Sequence, residues 1–124
     1  MELDMAALEL ENIARRKDER RRLLRSSLRR MLPQLVKIGA VKVILFGSLA
    51  DNTVSSGSDL DILVVMPKDR SGKEWSRIIY KEIDRDIAAD ILVFNTEELE
   101  AEIPANRFLQ QIMEKGRLVF EKDS

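Results

Sequence analysis

Apolar side chains recur at Leu3, Ala7, Leu10, Ala14, Leu24, Leu28, Met31 and Leu35, and no Gly interrupts that stretch. Spacings of three, four and seven residues place such positions on one face of a helix. Lys17 and Arg21 fall on the same stripe as charges. The segment therefore predicts a helical arm, residues 1–20, joined through a basic stretch to a second, core-facing helix, with the join free to bend or stay straight. Beyond it the period changes. Residues 41–46, Val-Lys-Val-Ile-Leu-Phe, are β-branched and apolar and stop at Gly47, which predicts a first strand. Residues 51–58 hold the densest turn chemistry in the chain and lead into a second strand over 59–66, closed by Pro67. Trp75, Ile78, Ile79 and Ile83 give residues 73–84 a helical period, and 89–94 reads as a third strand. Asn95-Thr96 with Glu97 and Glu98 marks a helix start; a last helix covers about residues 105–115 before Gly116, and 118–120 forms a short closing strand. This order predicts an α/β (α+β) domain over residues 21–124, a small mixed sheet with helices packed on it, preceded by the arm.

Composition narrows the chemistry. The 124 residues suit one domain, and they include no Cys and no His. Disulfides and thiolate zinc sites are excluded, and the commonest general base is missing. A metal held by this chain must be held by oxygen, which suits Mg²⁺, Mn²⁺ or Ca²⁺. The net charge of −1 conceals an asymmetry: residues 1–30 carry nine Lys/Arg against six Asp/Glu, and residues 31–124 carry twelve against sixteen. The cations at residues 15–30 have no aromatic residues between them, so a solvated or ion-paired helix is favoured over a nucleic-acid surface. Trp75 and Tyr80, on the middle helix, read as packing residues. The acidic start, Met1-Glu2-Leu3-Asp4, and the lack of any apolar run near ~18 residues lead to the expectation of a cytoplasmic protein without a membrane span.

Two local features carry chemistry. Gly47-Ser48 stands where an apolar strand must turn; Gly admits close approach of a phosphate, and a Ser hydroxyl with exposed N–H groups at a following helix start can bind the anion. Taken alone it is an ordinary turn. Asp59 and Asp61, two residues apart at the opening of a strand, project from one face. Like charges so placed resist ionising unless a cation sits between them. Leu63 and Val65 continue that face while Leu60, Ile62 and Val64 fill the other, so the acids open a strand expected to be buried on both sides. Asp90 heads another apolar run, Ile91-Leu92-Val93, and is preferred as a third acid over Asp84 and Asp86, which fall nearer the preceding helix. Three carboxylates converging from adjacent strands can hold two Mg²⁺ ions for an in-line displacement at phosphorus.

Phe46-Gly47-Ser48-Leu49-Ala50, ten residues from 49 to 58, then Asp59-Leu60-Asp61 within Ser58–Val64 resembles the signature of the minimal nucleotidyltransferase family of the DNA polymerase β superfamily. Asp90–Val93 resembles that family's third-acid strand and residues 108–121 its closing helix and strand, so the similarity spans roughly residues 36–121. The resemblance implies a nucleotidyl transfer from an NTP, with ATP the expected substrate. In it Asp59, Asp61 and Asp90 bind two Mg²⁺ ions, Mn²⁺ being an alternative, while Gly47, Ser48 and Ser58 hold the nucleotide; an acceptor hydroxyl attacks the α-phosphate and pyrophosphate leaves. Stand-alone members lack an acceptor domain, and the acceptor implied is a helical HEPN-type partner, the transferase acting as its antitoxin. One departure stands out: members often continue with Arg-Gly where this chain has Asp51-Asn52. The substitution puts an acid where a cation could meet phosphate, which keeps open a catalytically weak binding module that neutralises its partner by contact. Transfer to a small molecule would need an acceptor pocket that so short a chain walls in only by dimerising. The arm stripe, Leu3, Leu10, Ala14 and Leu24, exceeds what one small core needs and is expected to pack on another chain, a partner or a second copy.

Overall fold

A computed structural model describes residues 4–85 and 87–123. The first helix, α1 (Met5–Ile38), is one continuous element: Asp4 caps its start by accepting from the Ala6 N–H, and Gly39, at φ 123°, ends it. It passes straight through the basic stretch and includes Pro33, whose ring is on the exposed side. Helix α1 is two things in sequence. Leu24, Ser27, Met31 and Leu35 are buried against the sheet, whereas residues 4–19, apart from half-buried Leu8, are exposed. Leu24 thus belongs to the protein's own core, not to an outward stripe; Leu10 and Ala14 are exposed as expected, and Leu3 lies outside the described residues.

The sheet holds four strands in the order β3-β2-β1-β4: β1 (Lys42–Phe46), β2 (Leu60–Met66), β3 (Ala89–Asn95) and β4 (Arg117–Glu121). β1 is antiparallel to both β2 and β4, and β2 is parallel to β3, so the sheet is mixed. Parallel neighbours require a crossover, and α3 (Gly72–Glu82) makes it. Alternation along the strands divides the apolar residues between two layers. Val43, Leu45, Ile62 and Val64 face Leu24, Met31, Leu35, Trp75 and Ile79 of α1 and α3. Ile44, Leu63 and Val65 face Leu99 of α4 (Thr96–Glu102) and Leu109 and Ile112 of α5 (Arg107–Lys115). β2 is buried on both faces, as its sequence anticipates.

The helix starts follow their side chains. Asn95 and Glu98 form a reciprocal capping box at α4, and Asn106 accepts from the Leu109 N–H at α5. Trp75 is buried and its indole N–H donates to the Pro67 carbonyl at 2.8 Å, a packing role. Three sequence expectations need correction. A short helix, α2 (Gly47–Asp51), begins at Gly47 itself, within the turn that was to precede the expected helix start, and Asn52 adopts the left-handed conformation that caps it. Ala105 closes a 3₁₀ turn, Ile103–Ala105, so the last helix begins at Arg107 behind its Asn106 cap. Asp59 precedes β2, whose pairing begins at Leu60.

Candidate active site

β1 ends, and β2 and β3 begin, at the same end of the sheet. The register places Phe46 opposite Asp61 and Asp61 opposite Asp90. By strand alternation Asp61 shares its face with Leu63 and Val65, and Asp90 shares its face with Leu92 and Phe94, the α4–α5 side of the sheet. Apolar helices cover the rest of that face, but here the cover stops. An open cleft of about 220 Å³ is lined by Asp61, Asp90, Phe46, Tyr80 and Phe108.

Burial, then the charges of Asp90 and Asp59 and a hydrogen bond with the Asp90 carboxyl, hold the Asp61 carboxyl above its ordinary range. The pair is a place where negative charge is stored against its preference. Gly47 follows directly. Its φ of 74° belongs to the left-handed region, and a Cβ there would overlap the Asp61 carboxylate. Glycine is required for both the turn and the space. The Ser48 carbonyl accepts from the Asn52 and Thr53 N–H groups, while its hydroxyl makes no hydrogen bond among the described residues. The Ser58 hydroxyl accepts from the Ser55 N–H at 2.8 Å, so it serves the turn that leads into β2.

Asp59 is exposed, like Asp90, and is engaged elsewhere: its Oδ1 lies 3.6 Å from Nη2 of Arg20 on α1. The Arg20 Nε–H also donates to the Ser58 carbonyl at 2.6 Å. Among the described residues no three acids close around one point. The donor set still fits a hard divalent cation: Asp61 and Asp90 present oxygen only, side by side, and the Asp59 charge is close enough to act on Asp61. The rival acids are placed differently. The backbone of Asp84, after α3, is held by Gln34 of α1 through bonds of 2.9 and 3.4 Å, and Asp86 lies outside the described residues.

Phe108 and Arg20 were not singled out by sequence as site residues, and Tyr80 was read only as a packing residue. Phe108 is 54% exposed and meets Phe46 edge to face, with ring centres 5.9 Å apart. Phe46 and Phe108 also line a second cleft, about 200 Å³, with Gly47, Asp51 and Lys115. The Tyr80 hydroxyl accepts from the Ile91 N–H at 3.1 Å and covers the outer edge of β3 beside Asp90. Arg20 was hidden within a run of cations. Phe108 left a signal in its place, an aromatic residue on the first turn of the closing helix.

The site is thus a glycine turn set against paired strand-head carboxylates on the mixed sheet of an α+β domain. A family model for the nucleotidyltransferase domain matches residues 24–119, and the chain belongs to that family. The match begins at Leu24, the first buried residue of α1. A solved structure from Sulfolobus solfataricus, assigned as a nucleotidyltransferase, is 20% identical with a TM-score of 0.47, covering 81% of this chain and 88% of that one. No significant match is found among curated proteins.

Proposed function

We propose that the chain moves an NMP, AMP first among candidates, from an NTP to a hydroxyl on a helical HEPN-type partner, and so acts as that partner's antitoxin. The observation that carries the transfer reading is the opposition of Asp61 and Asp90 in register beside Gly47, in a chain of this family. Asp59, Asp61 and Asp90 would hold Mg²⁺ or Mn²⁺, which supplies positive charge against the triphosphate and lowers the acceptor hydroxyl's pKa. The chain's own residues do the rest. Gly47 lets the phosphate tail approach the backbone, and the Ser48 hydroxyl has its donor available to it. With no His or Cys, a carboxylate takes the acceptor's proton. Phe46 and Phe108 form an apolar wall on one side of the cleft.

The acceptor must come from outside, since the clefts around the acids are open and small. Helix α1 supports a protein acceptor: Met5, Leu10 and Ile13 expose large apolar side chains on a stretch without tertiary cover. A second copy is the other occupant this surface admits.

Asp51 favours one rival reading, a binding module that neutralises its partner by contact. It is exposed and borders the cleft with Lys115, where its charge opposes a phosphate. The test is transfer of labelled NMP from ATP to the co-expressed partner, read beside pyrophosphate release, for wild type and Asp61→Asn. Transfer by wild type alone supports the enzyme. Neutralisation of the partner without transfer, and equally by Asp61→Asn, replaces it with the binding module.

A further inference from the structure

Asp51 leaves α2 without a cation, yet a triphosphate brought to this end of the sheet meets Asp51 as well as the three acids. A guanidinium reaches Asp59 from a distant part of the chain. Arg20 stands on α1 one turn before Leu24, where the helix first enters the core. Its 2.6 Å bond to the Ser58 carbonyl anchors one N–H on the turn before β2. The 3.6 Å approach to Asp59 is too long for a hydrogen bond, so that half of the fork is held by charge alone. The side chain is largely covered, at 22% exposure, whereas Asp59 is 49% exposed. An anchored guanidinium with a loosely held carboxylate is arranged to change partners.

We propose that Arg20 is a triphosphate-binding residue that neutralises Asp59 until metal arrives and then turns its free N–H groups to the phosphates. The inference rests on the nucleotidyl-transfer reading. Two oxygens sharing one Mg²⁺ ion stand about 3 Å apart, so a phosphate that joins Asp59 on an ion enters the reach of a guanidinium already 3.6 Å from Asp59. The arrangement also links α1 to the site. The exposed arm and Arg20 belong to one uninterrupted helix, and the arm meets solvent directly before the residue that holds Asp59.

Two opposed effects make this testable without turnover. Full-length wild type, Arg20→Gln, Arg20→Lys and Arg25→Gln are titrated with Mn²⁺ alone, then with inorganic tripolyphosphate in Mg²⁺, by calorimetry, with thermal melts as a folding control. Arg25 is an exposed cation on the same helix and controls for general charge. Arg20→Gln should bind Mn²⁺ several-fold more tightly, because a competitor for Asp59 is gone, and tripolyphosphate about tenfold more weakly, because charge-assisted bonds are lost. Arg20→Lys keeps the charge without the fork and should fall between, and it carries the test if Arg20→Gln does not fold. Arg25→Gln should match wild type. Loss of affinity for both ligands in Arg20→Gln would make Arg20 a brace and overturn the exchange. So would wild-type affinities in Arg20→Gln, or the same changes in Arg25→Gln. Failure of the wild type to bind tripolyphosphate with any divalent metal removes the underlying transfer reading instead, and the inference with it.

Discussion

Replacing Asp61 by Asn should make the metal-free protein more stable while abolishing transfer. Carboxylates on neighbouring strands stand about 5 Å apart, and their repulsion runs from about 1 kcal/mol in water to about 3 kcal/mol at an effective dielectric of 20. Asp61 is only half-buried, so the lower part of that range, about 1–2 kcal/mol, is expected. For a domain of this size that is a rise in Tm of about 4–8 °C. The pH dependence fixes the cause. A carboxyl whose folded-state pKa is raised binds its proton more tightly in the native state, so it favours folding below the ordinary carboxylate range and that contribution is lost as pH rises through the raised value. Asp61→Asn should therefore exceed wild type at pH 7 in chelator, and the gap should shrink toward zero near pH 4. Metal should act in the reverse sense. A divalent ion at a hundred times its Kd adds about 2.7 kcal/mol to wild type, and Asp61→Asn, short of one ligand charge, should gain much less. Paired thermal melts at both pH values, with chelator and with Mg²⁺, decide it. A lower Tm for Asp61→Asn in chelator at pH 7, or a gap that persists unchanged at pH 4, refutes the argument.

Gly47→Ala combines a strained φ with overlap on the Asp61 carboxylate and should cost about 2–3 kcal/mol; a melt at or above wild type would show that the turn relaxes. Asn52, at φ 58° and exposed, should tolerate Gly without loss and lose about 1 kcal/mol on change to Ala, read by urea midpoints. NTP binding should be weak in chelator and strengthen with Mg²⁺ or Mn²⁺, and equal affinity in both would remove the metal assignment. Leu10→Glu combined with Ile13→Glu should leave the melting temperature within about 2 °C, since neither side chain is covered, while weakening assembly with a partner or second copy in sedimentation; unchanged assembly would leave the arm without a docking role.

How much of this was legible beforehand depended on how local each cause was. β1, β2 and β3 were readable because buried strands leave continuous apolar runs, and the start of α4 because its cap and capping acid are three residues apart. The register of Asp61 with Asp90 could be anticipated, since both acids head such runs and parallel neighbours start together. Of helix α2 only a start beside Ser48 was legible, because five residues are too few to show a period. Leu24 was misassigned for the opposite reason: the stripe is truly periodic, but periodicity does not say where along α1 the sheet begins to cover it.

The pair Asp51-Asn52 shows where local reading stops. Seen along the chain it is one departure, an acid and an amide in place of a cation and a glycine. In three dimensions the two positions separate. Asn52 occupies a left-handed cap, a conformation that Asn tolerates better than other side-chain-bearing residues, so the backbone role of a glycine is kept. Asp51 borders the Lys115 cleft, where its acid opposes the Lys115 charge and no backbone role stands in for the cation absent at position 51. A site that lacks charge at one position must find it from another element or bind its anion weakly. The guanidinium beside Asp59 arrives from α1, thirty-eight residues before the carbonyl that anchors it. No spacing rule marks such a contact, because the distance in sequence is set by the whole path of the chain through α1, β1 and α2 and not by any local geometry. The substitution at position 51 and the cation at position 20 are therefore best tested together: restoring Arg at 51 should relieve part of the loss of tripolyphosphate affinity in Arg20→Gln, and full independence of the two would show that they serve different ligands.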